Sequence, residues 1–333
     1  MGLCCSGCAA SPTFSYRDIP DLSSKVAIVT GASAGLGLVM ARELARKGCH
    51  VIFACRSREK TMTVIHQLAK TLPGVPKLDF IHLDLMNLKS VAVFVDNFKA
   101  RNLPLHILIN NAGIMAPPFE LSEDGIESHF ATNHVGHHAL TTGLLPILDA
   151  SAPSRVVVVS SHAHIRAPWW DFDLEMINDE TKYHAWRWYS QSKLANLLFT
   201  RELSRQLEVR NVHNVYVNAV HPGVVRTQVS TKHRHWLLNW LMALFEVDVN
   251  TAAKTLLYVA TSDDIVTHNW HGEYFVPIAR LGQSAFVDPG LGRRLWVLTE
   301  SLIAESMYSE SASETEICGT SPDEEDCPST NLL

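Results

Sequence analysis

Tyr189 and Lys193 stand four residues apart in Tyr189-Ser190-Gln191-Ser192-Lys193, a spacing that puts both side chains on one face of a helix. A phenol has an ordinary pKa of about 10, too high for ready proton exchange near neutrality. An ammonium group beside it favours the phenolate, so the pair reads as proton-transfer machinery. A second constellation is the glycine turn Thr30-Gly31-Ala32-Ser33-Ala34-Gly35-Leu36-Gly37, set between an apolar β run and a helical pattern. Unpaired N–H groups at a helix start attract negative charge, and glycines let the backbone approach a phosphate closely. The spacing differs from the G-x-G-x-x-G of the usual dinucleotide fingerprint. A third signal is Arg56 behind Ala54-Cys55, with Arg58 and Lys60 following. No acid closes that strand to bond ribose hydroxyls, and a guanidinium there suits a phosphate on an adenosine ribose. His134, His137 and His138 cluster without a carboxylate or cysteine set, so they read as ordinary helix histidines and no metal is expected.

These residues need a scaffold. Val26–Thr30, His50–Ala54, Leu78–Leu83, Leu105–Asn110, Arg155–Ser160 and Asn214–Ala219 read as β runs, alternating with helical patterns. One helix ends before Pro73-Gly74, one includes Val91–Lys99, a long one precedes the fifth strand, and another covers Tyr189–Leu207. Such alternation implies an α/β fold: a doubly wound, Rossmann-type parallel sheet in a single domain. Three stretches break the rhythm. Residues 162–188 form a Trp-rich insertion. Residues 236–245 are apolar almost all round and read as a buried helix, a lid over a hydrophobic substrate, or a patch dipping into a bilayer, with the lid favoured. Residues 305–333 are acidic and Ser-rich, which predicts a disordered tail.

Taken in order, the motifs resemble the short-chain dehydrogenase/reductase family. The glycine turn has its TGxxxGxG form, Tyr189 to Lys193 its YxxxK element, and Asn110-Asn111-Ala112-Gly113 its NNAG motif. His221-Pro222-Gly223-Val224-Val225-Arg226-Thr227 resembles its PG element, and the likeness spans residues 25–300. Ala54-Cys55-Arg56, Leu108–Gly113 and Ser192-Lys193-Leu194-Ala195-Asn196 look most like the retinol dehydrogenase and WW-domain oxidoreductase branch. The resemblance implies a nicotinamide cofactor, and Arg56 favours NADP(H) over NAD(H). It implies contacts to that cofactor from Gly31, Ser33, Gly35, Leu36, Gly37, Arg56, Asp84, Asn111, Ala112 and Gly113. Tyr189, Lys193, Pro222, Gly223, Val225 and Thr227 complete the set. Asp84 matches the position at the adenine ring, Lys193 the one at the nicotinamide ribose, and Thr227 the one at the carboxamide. Ser161 matches the serine that bonds the substrate oxygen, with Ser160 as the competing choice. Asn133 matches the residue that kinks its helix and helps relay protons.

The implied activity is reduction of a hydrophobic aldehyde or ketone (retinal-, steroid- or lipid-like), or oxidation of the alcohol. Two rivals stand beside it: a membrane-anchored NADP(H)-binding signalling or scaffold protein with little turnover, and an epimerase or dehydratase on the same fold.

The composition bounds these readings. With 333 residues, 47% of them hydrophobic, the chain suits one large domain over 23–304, an N-terminal linker over 1–22 and the tail. A formal net charge of −6 argues against nucleic-acid partners. The seven cysteines gather towards the ends, unlike a disulfide framework, and fit a reducing, cytoplasmic setting. Met1-Gly2-Leu3-Cys4-Cys5-Ser6 matches the N-myristoylation pattern, with Cys4 and Cys5 placed for palmitoylation, so a membrane-surface anchor is expected over a plain polar terminus. No apolar stretch has membrane-spanning length. A homodimer is the remaining partner expectation.

Overall fold

Runs of β-branched residues make the strands, and their side chains alternate between two apolar cores. The computed structural model describes residues 14–167, 176–223, 248–284 and 288–317. The acylation pattern, the apolar stretch 236–245, Val225 and Thr227 lie outside the described residues. Strands β1 (Val26–Thr30), β2 (His50–Cys55), β3 (Leu78–His82), β4 (Ile107–Asn110), β5 (Ser154–Val159) and β6 (Val215–Val220) match the six apolar runs to within two residues. The sheet order is β3-β2-β1-β4-β5-β6-β7-β8, with β1 to β7 parallel. The added strands are β7 (Tyr274–Val276) and β8 (Arg280–Leu281), the latter antiparallel. Both are too short to show a period. Pairing to the formed edge of β6 (Ala219 with Tyr274, Val220 with Phe275) makes β7 a strand.

Nine helices among the described residues cover the sheet. They are α1 (Gly35–Arg46), α2 (Arg58–Thr71), α3 (Leu88–Lys99), α4 (Ser128–Phe130), α5 (Gly136–Ala150), α6 (Ala185–Val209), α7 (Val249–Thr261), α8 (Asp264–Thr267) and α9 (Pro289–Ile317). Their starts follow local chemistry: Ser57 accepts from the Lys60 N–H, and Asn87 accepts from the Ser90 N–H. Ala27, Val29, Val51, Phe53, Ile107, Ile109 and Val157 point to the core shared with α1, α2 and α7. Their neighbours Val26, Ile28, Ile52, Ala54, Leu108, Val156 and Val158 point to the other, shared with α3, α5 and α6. That period of two is what a parallel sheet buried on both faces requires.

Two boundaries differ from the sequence expectation. The linker reading fails over 14–22: Phe14, Ile19 and Leu22 are buried in the first core, and the Leu22 N–H bonds the Lys47 carbonyl after α1. Three apolar side chains in nine residues gave too little periodicity to reveal this docking. The unstructured tail expected from residue 305 fails at its beginning, because α9 continues through Ile317. Extending an existing helix is far cheaper than nucleating one, and Ala, Met and Glu support it here. Of the insertion 162–188, the described part carries 3-10 turns at His162–Arg166 and Glu180–Lys182 and then enters α6 at Ala185.

Ile19 is only 2% exposed. Ile19→Ala should therefore lower unfolding stability by about 2–4 kcal/mol in urea titration, as for other buried aliphatic truncations. A change under about 0.5 kcal/mol would mark residues 14–22 as a loosely attached linker after all.

Candidate active site

Sheet order reverses between β1 and β4, so the strand ends there diverge and leave a crevice, the usual ligand position of such folds. Thr30 ends β1 and organises this point. Its hydroxyl accepts from the backbone N–H groups of Asn111 (2.8 Å) and Ala112 (2.9 Å). The Asn111 side-chain amide donates back to the Thr30 carbonyl at 2.8 Å. Asn110 points into the second core and donates to Thr141 at 2.8 Å.

The glycine turn is shaped by these contacts. Gly31 has φ +67 and Gly35 φ +54, the left-handed region that glycine enters without a Cβ penalty. Gly37 has a different constraint: a Cβ there would press on the Gly31 carbonyl oxygen and lie 2.7 Å from the Asn111 amide nitrogen. Ala34, at the N-cap of α1, provides no side-chain cap. The first N–H groups of α1, beside Ser33, Gly35 and Leu36, therefore have no capping side chain to satisfy them, as an anion site needs. Arg56 follows β2 with its side chain 71% exposed, 3.9 Å from the Asp84 carboxylate. Asp84 accepts from the Met86 N–H, which orients it towards the same edge of the crevice. A close-approach glycine cradle, an uncapped helix start and an exposed guanidinium fit the phosphates of a nicotinamide dinucleotide.

The candidate proton-transfer residues gather around the end of β5 and the start of α6. Ser160 is excluded from solvent and donates to the Lys193 carbonyl at 2.8 Å, so its hydroxyl is occupied. Ser161 is partly open, caps the 3-10 turn that follows β5, and hydrogen-bonds the Tyr189 phenol. Of the two serines, the geometry favours Ser161. Lys193 lies with Nζ 5.8 Å from the Tyr189 ring centre and donates to the Val159 carbonyl at 3.0 Å. Asn133 sits in a π segment, Ala131–Val135, between α4 and α5. Its side chain accepts from the Ile114 N–H (2.9 Å) and donates to the Ile114 carbonyl (3.1 Å) and the Ser192 hydroxyl (2.9 Å). Ser192 in turn donates to the Tyr189 carbonyl. Gly113 completes the junction, since a Cβ there would lie 3.0 Å from the Asn133 oxygen and 3.6 Å from Lys193 Nζ. Pro222 and Gly223 (φ +92) leave β6 beside His221, whose ring accepts from the His162 N–H.

The electrostatics differ from the expected lowering of Tyr189. Burial pushes its pKa up, and the Ser161 hydrogen bond pulls it down. Burial also lowers Lys193 to about 8. Both shifts disfavour the charged form, on a buried lysine and a partly buried tyrosine. The helix histidines are structural: His134 bonds Thr299, His137 bonds Thr30, and His138 bonds Glu300. Burial drives His137 down to about 3. Sequence reading missed Glu127, His129 and Tyr183: His129 stands beside Tyr189 and joins the other two, no motif marks them, and only the fold brings them together.

The comparisons agree with this geometry. The short chain dehydrogenase family model matches residues 25–170 and 177–238. An uncharacterised oxidoreductase of Schizosaccharomyces pombe is 38% identical, over 82% of this chain and 82% of its own. Human retinol dehydrogenase 14 is 37% identical over 85% of this chain and 87% of its own. The chicken WW domain-containing oxidoreductase is 38% identical over 86% of this chain and 70% of its own. Among solved structures, an uncharacterised protein of Mycobacterium paratuberculosis superposes with TM-score 0.69 at 36% identity, covering 87% of this chain and 97% of that one.

Gly37→Ala should weaken dinucleotide binding about tenfold or more in a fluorescence titration, because the methyl has no room without displacing the turn. Unchanged affinity would mean that the turn does not hold the cofactor. Lys193 gives a pH signature. Its native pKa of about 8 lies below the ordinary 10.5. Below pH 8 both folded and unfolded chains hold the proton, and the cost of burying the ammonium is fully present. Between 8 and 10.5 the native chain has released a proton that the unfolded chain retains, so stability rises with pH. The stability advantage of Lys193→Met over the native chain should therefore shrink across that window in urea unfolding. A pH-independent difference would contradict the shift.

Proposed function

The chain belongs to the short-chain dehydrogenase family, and from that premise we propose that it is an NADP(H)-dependent reductase of a hydrophobic aldehyde or ketone, also able to oxidise the matching alcohol. The observation that carries this reading is the hydrogen-bonded Ser161–Tyr189 pair with Lys193 beside it, at the strand ends next to the glycine cradle. The bound cofactor supplies or accepts the hydride. Everything else belongs to the protein. A phenol whose pKa is raised by burial stays protonated near neutrality, which is the form a carbonyl reduction needs from its acid. Tyr189 donates its proton to the substrate oxygen as charge develops there, and the Ser161 hydroxyl donates a hydrogen bond to the same atom. Lys193, close to half-protonated at pH 8, restores the Tyr189 proton. Asn133 holds Ser192 and Ile114 and so ties α6, between Tyr189 and Lys193, to the turn that follows Gly113.

The preference for NADP(H) rests on Arg56, exposed at the end of β2, whose guanidinium has the Asp84 carboxylate 3.9 Å away and none of its own strand's residues as an acid partner. The hydrophobic substrate class rests on the aromatic rings around Tyr189, including Trp186 with its ring 6.2 Å away at 89°, and on the similarity to retinol dehydrogenase 14. A scaffold role with little turnover is less well supported, because pure cofactor binding gives no use for a Ser161–Tyr189 pair. Loss of NADPH absorbance with retinal and a panel of hydrophobic carbonyls tests the proposal. Tyr189→Phe should cut turnover by about 10²–10⁴-fold with the cofactor still bound. Arg56→Ala should weaken NADPH about tenfold while leaving NADH nearly unaffected. A Tyr189→Phe enzyme as active as the native one would overturn the mechanism, and cofactor binding without turnover on any carbonyl would favour the scaffold.

A further inference from the structure

Glu127 and His129 form a pair with 0% side-chain exposure on both members, 2.7 Å apart, outside the proton-transfer set. Glu127 also accepts from the Phe130 N–H at 3.0 Å and the Ser128 hydroxyl at 3.3 Å. The opposite nitrogen of His129, Nε2, accepts from the Ala116 N–H at 2.9 Å. A backbone N–H can only donate, so Nε2 carries no proton and the ring proton sits on Nδ1, facing the carboxylate. The pair thus holds one neutral tautomer and uses it to grip the backbone three residues after Gly113.

That backbone is strained. Ala116 has φ +53, a left-handed conformation that alanine keeps only where its surroundings impose it. On the next residue, the Tyr183 hydroxyl donates to the Pro117 carbonyl at 2.5 Å. The rings complete the arrangement: His129 lies 6.2 Å from Tyr183 and 6.3 Å from Tyr189. The gripped segment begins at the Gly113–Lys193 junction, and the His129 ring that holds it stands beside Tyr189.

We propose that Glu127, His129 and Tyr183 are positioning residues: a clasp that holds Ile114–Pro117 as the wall against which the carbonyl substrate is aligned with Tyr189. The role rests on the reductase reading above. Aligning the reacting atoms depends on sub-ångström placement of such walls. Glu127→Gln keeps shape but turns one oxygen into an NH2 donor, and since His129 Nδ1–H and Phe130 N–H address different oxygens (Oε1 and Oε2), one of the two then faces a donor and its bond is lost.

Glu127→Gln, His129→Ala and Tyr183→Phe should each lower kcat/KM for the carbonyl about tenfold. The NADPH dissociation constant, read by fluorescence, should stay within about twofold. The His129→Ala/Tyr183→Phe double variant should lose less than the product of the single losses, since both act through one segment. Hydrogen exchange on the full-length protein adds a readout free of turnover: the Ala116 amide should be protected in the native chain and exchange faster in His129→Ala. Carbonyl and cofactor terms falling together would overturn the proposal, as would unchanged carbonyl kinetics. If the native chain reduced no carbonyl, the reductase reading would fail by itself, and an Ala116 amide equally protected in His129→Ala would separately refute the clasp.

Discussion

The hydroxyl of Thr30 sits where β1 ends and accepts two backbone N–H groups from the turn that closes β4. It lies 2.9 Å from His137 Nε2, and His137 Nδ1 faces the Asn133 carbonyl at 3.2 Å. Burial keeps that imidazole neutral, so Nδ1 donates to the carbonyl and Nε2 accepts the Thr30 proton. One hydroxyl therefore joins the first strand, the Asn111–Ala112 turn and the π segment that carries Asn133. Each partner is a backbone or neutral group with its capacity used, which is how a buried polar network gives a single geometry rather than several. Gly31, Gly37, Gly113 and Asn133 all take their places from this point.

Burial decides the chemistry of the charged centre as much as the residue types do. Tyr189 and Lys193 are both pushed towards their neutral forms by removal from water, with the Ser161 hydrogen bond opposing the shift on the phenol. A phenol that stays protonated beside an amine that titrates near pH 8 is a pair matched for proton delivery to an oxygen. The cost of keeping them there is met by a core packed on both faces of the sheet.

The clasp on Ile114–Pro117 shows a related economy. Strained backbone survives where surrounding bonds over-determine it, and Ala116 is held by His129 while its neighbours are held by Asn133 and Tyr183. Residues from α4, the π segment and the described part of the insertion converge on one short turn. The insertion thereby contributes to the wall of the site through Tyr183, quite apart from any covering role.

Much of this was legible in local chemistry. The alternating β-branched runs place six strands and the doubly wound class, because a period of two buried on both faces has few other meanings. The spacing of Tyr189 and Lys193 gives a shared helix face, and a glycine turn between strand and helix gives close backbone approach at a helix start, since both depend only on near neighbours. Tertiary structure decided what depends on distant partners. It ties the Ser160 hydroxyl to a carbonyl 33 residues away and leaves Ser161 partly open at the end of β5. It made strands of 274–276 and 280–281 by offering an edge to pair with, docked 14–22 on the first core, and carried α9 through Ile317. It also set the protein's own balance on Tyr189, burial raising the phenol and Ser161 lowering it, because burial is a property of the folded surroundings and no spacing of residues along the chain encodes it.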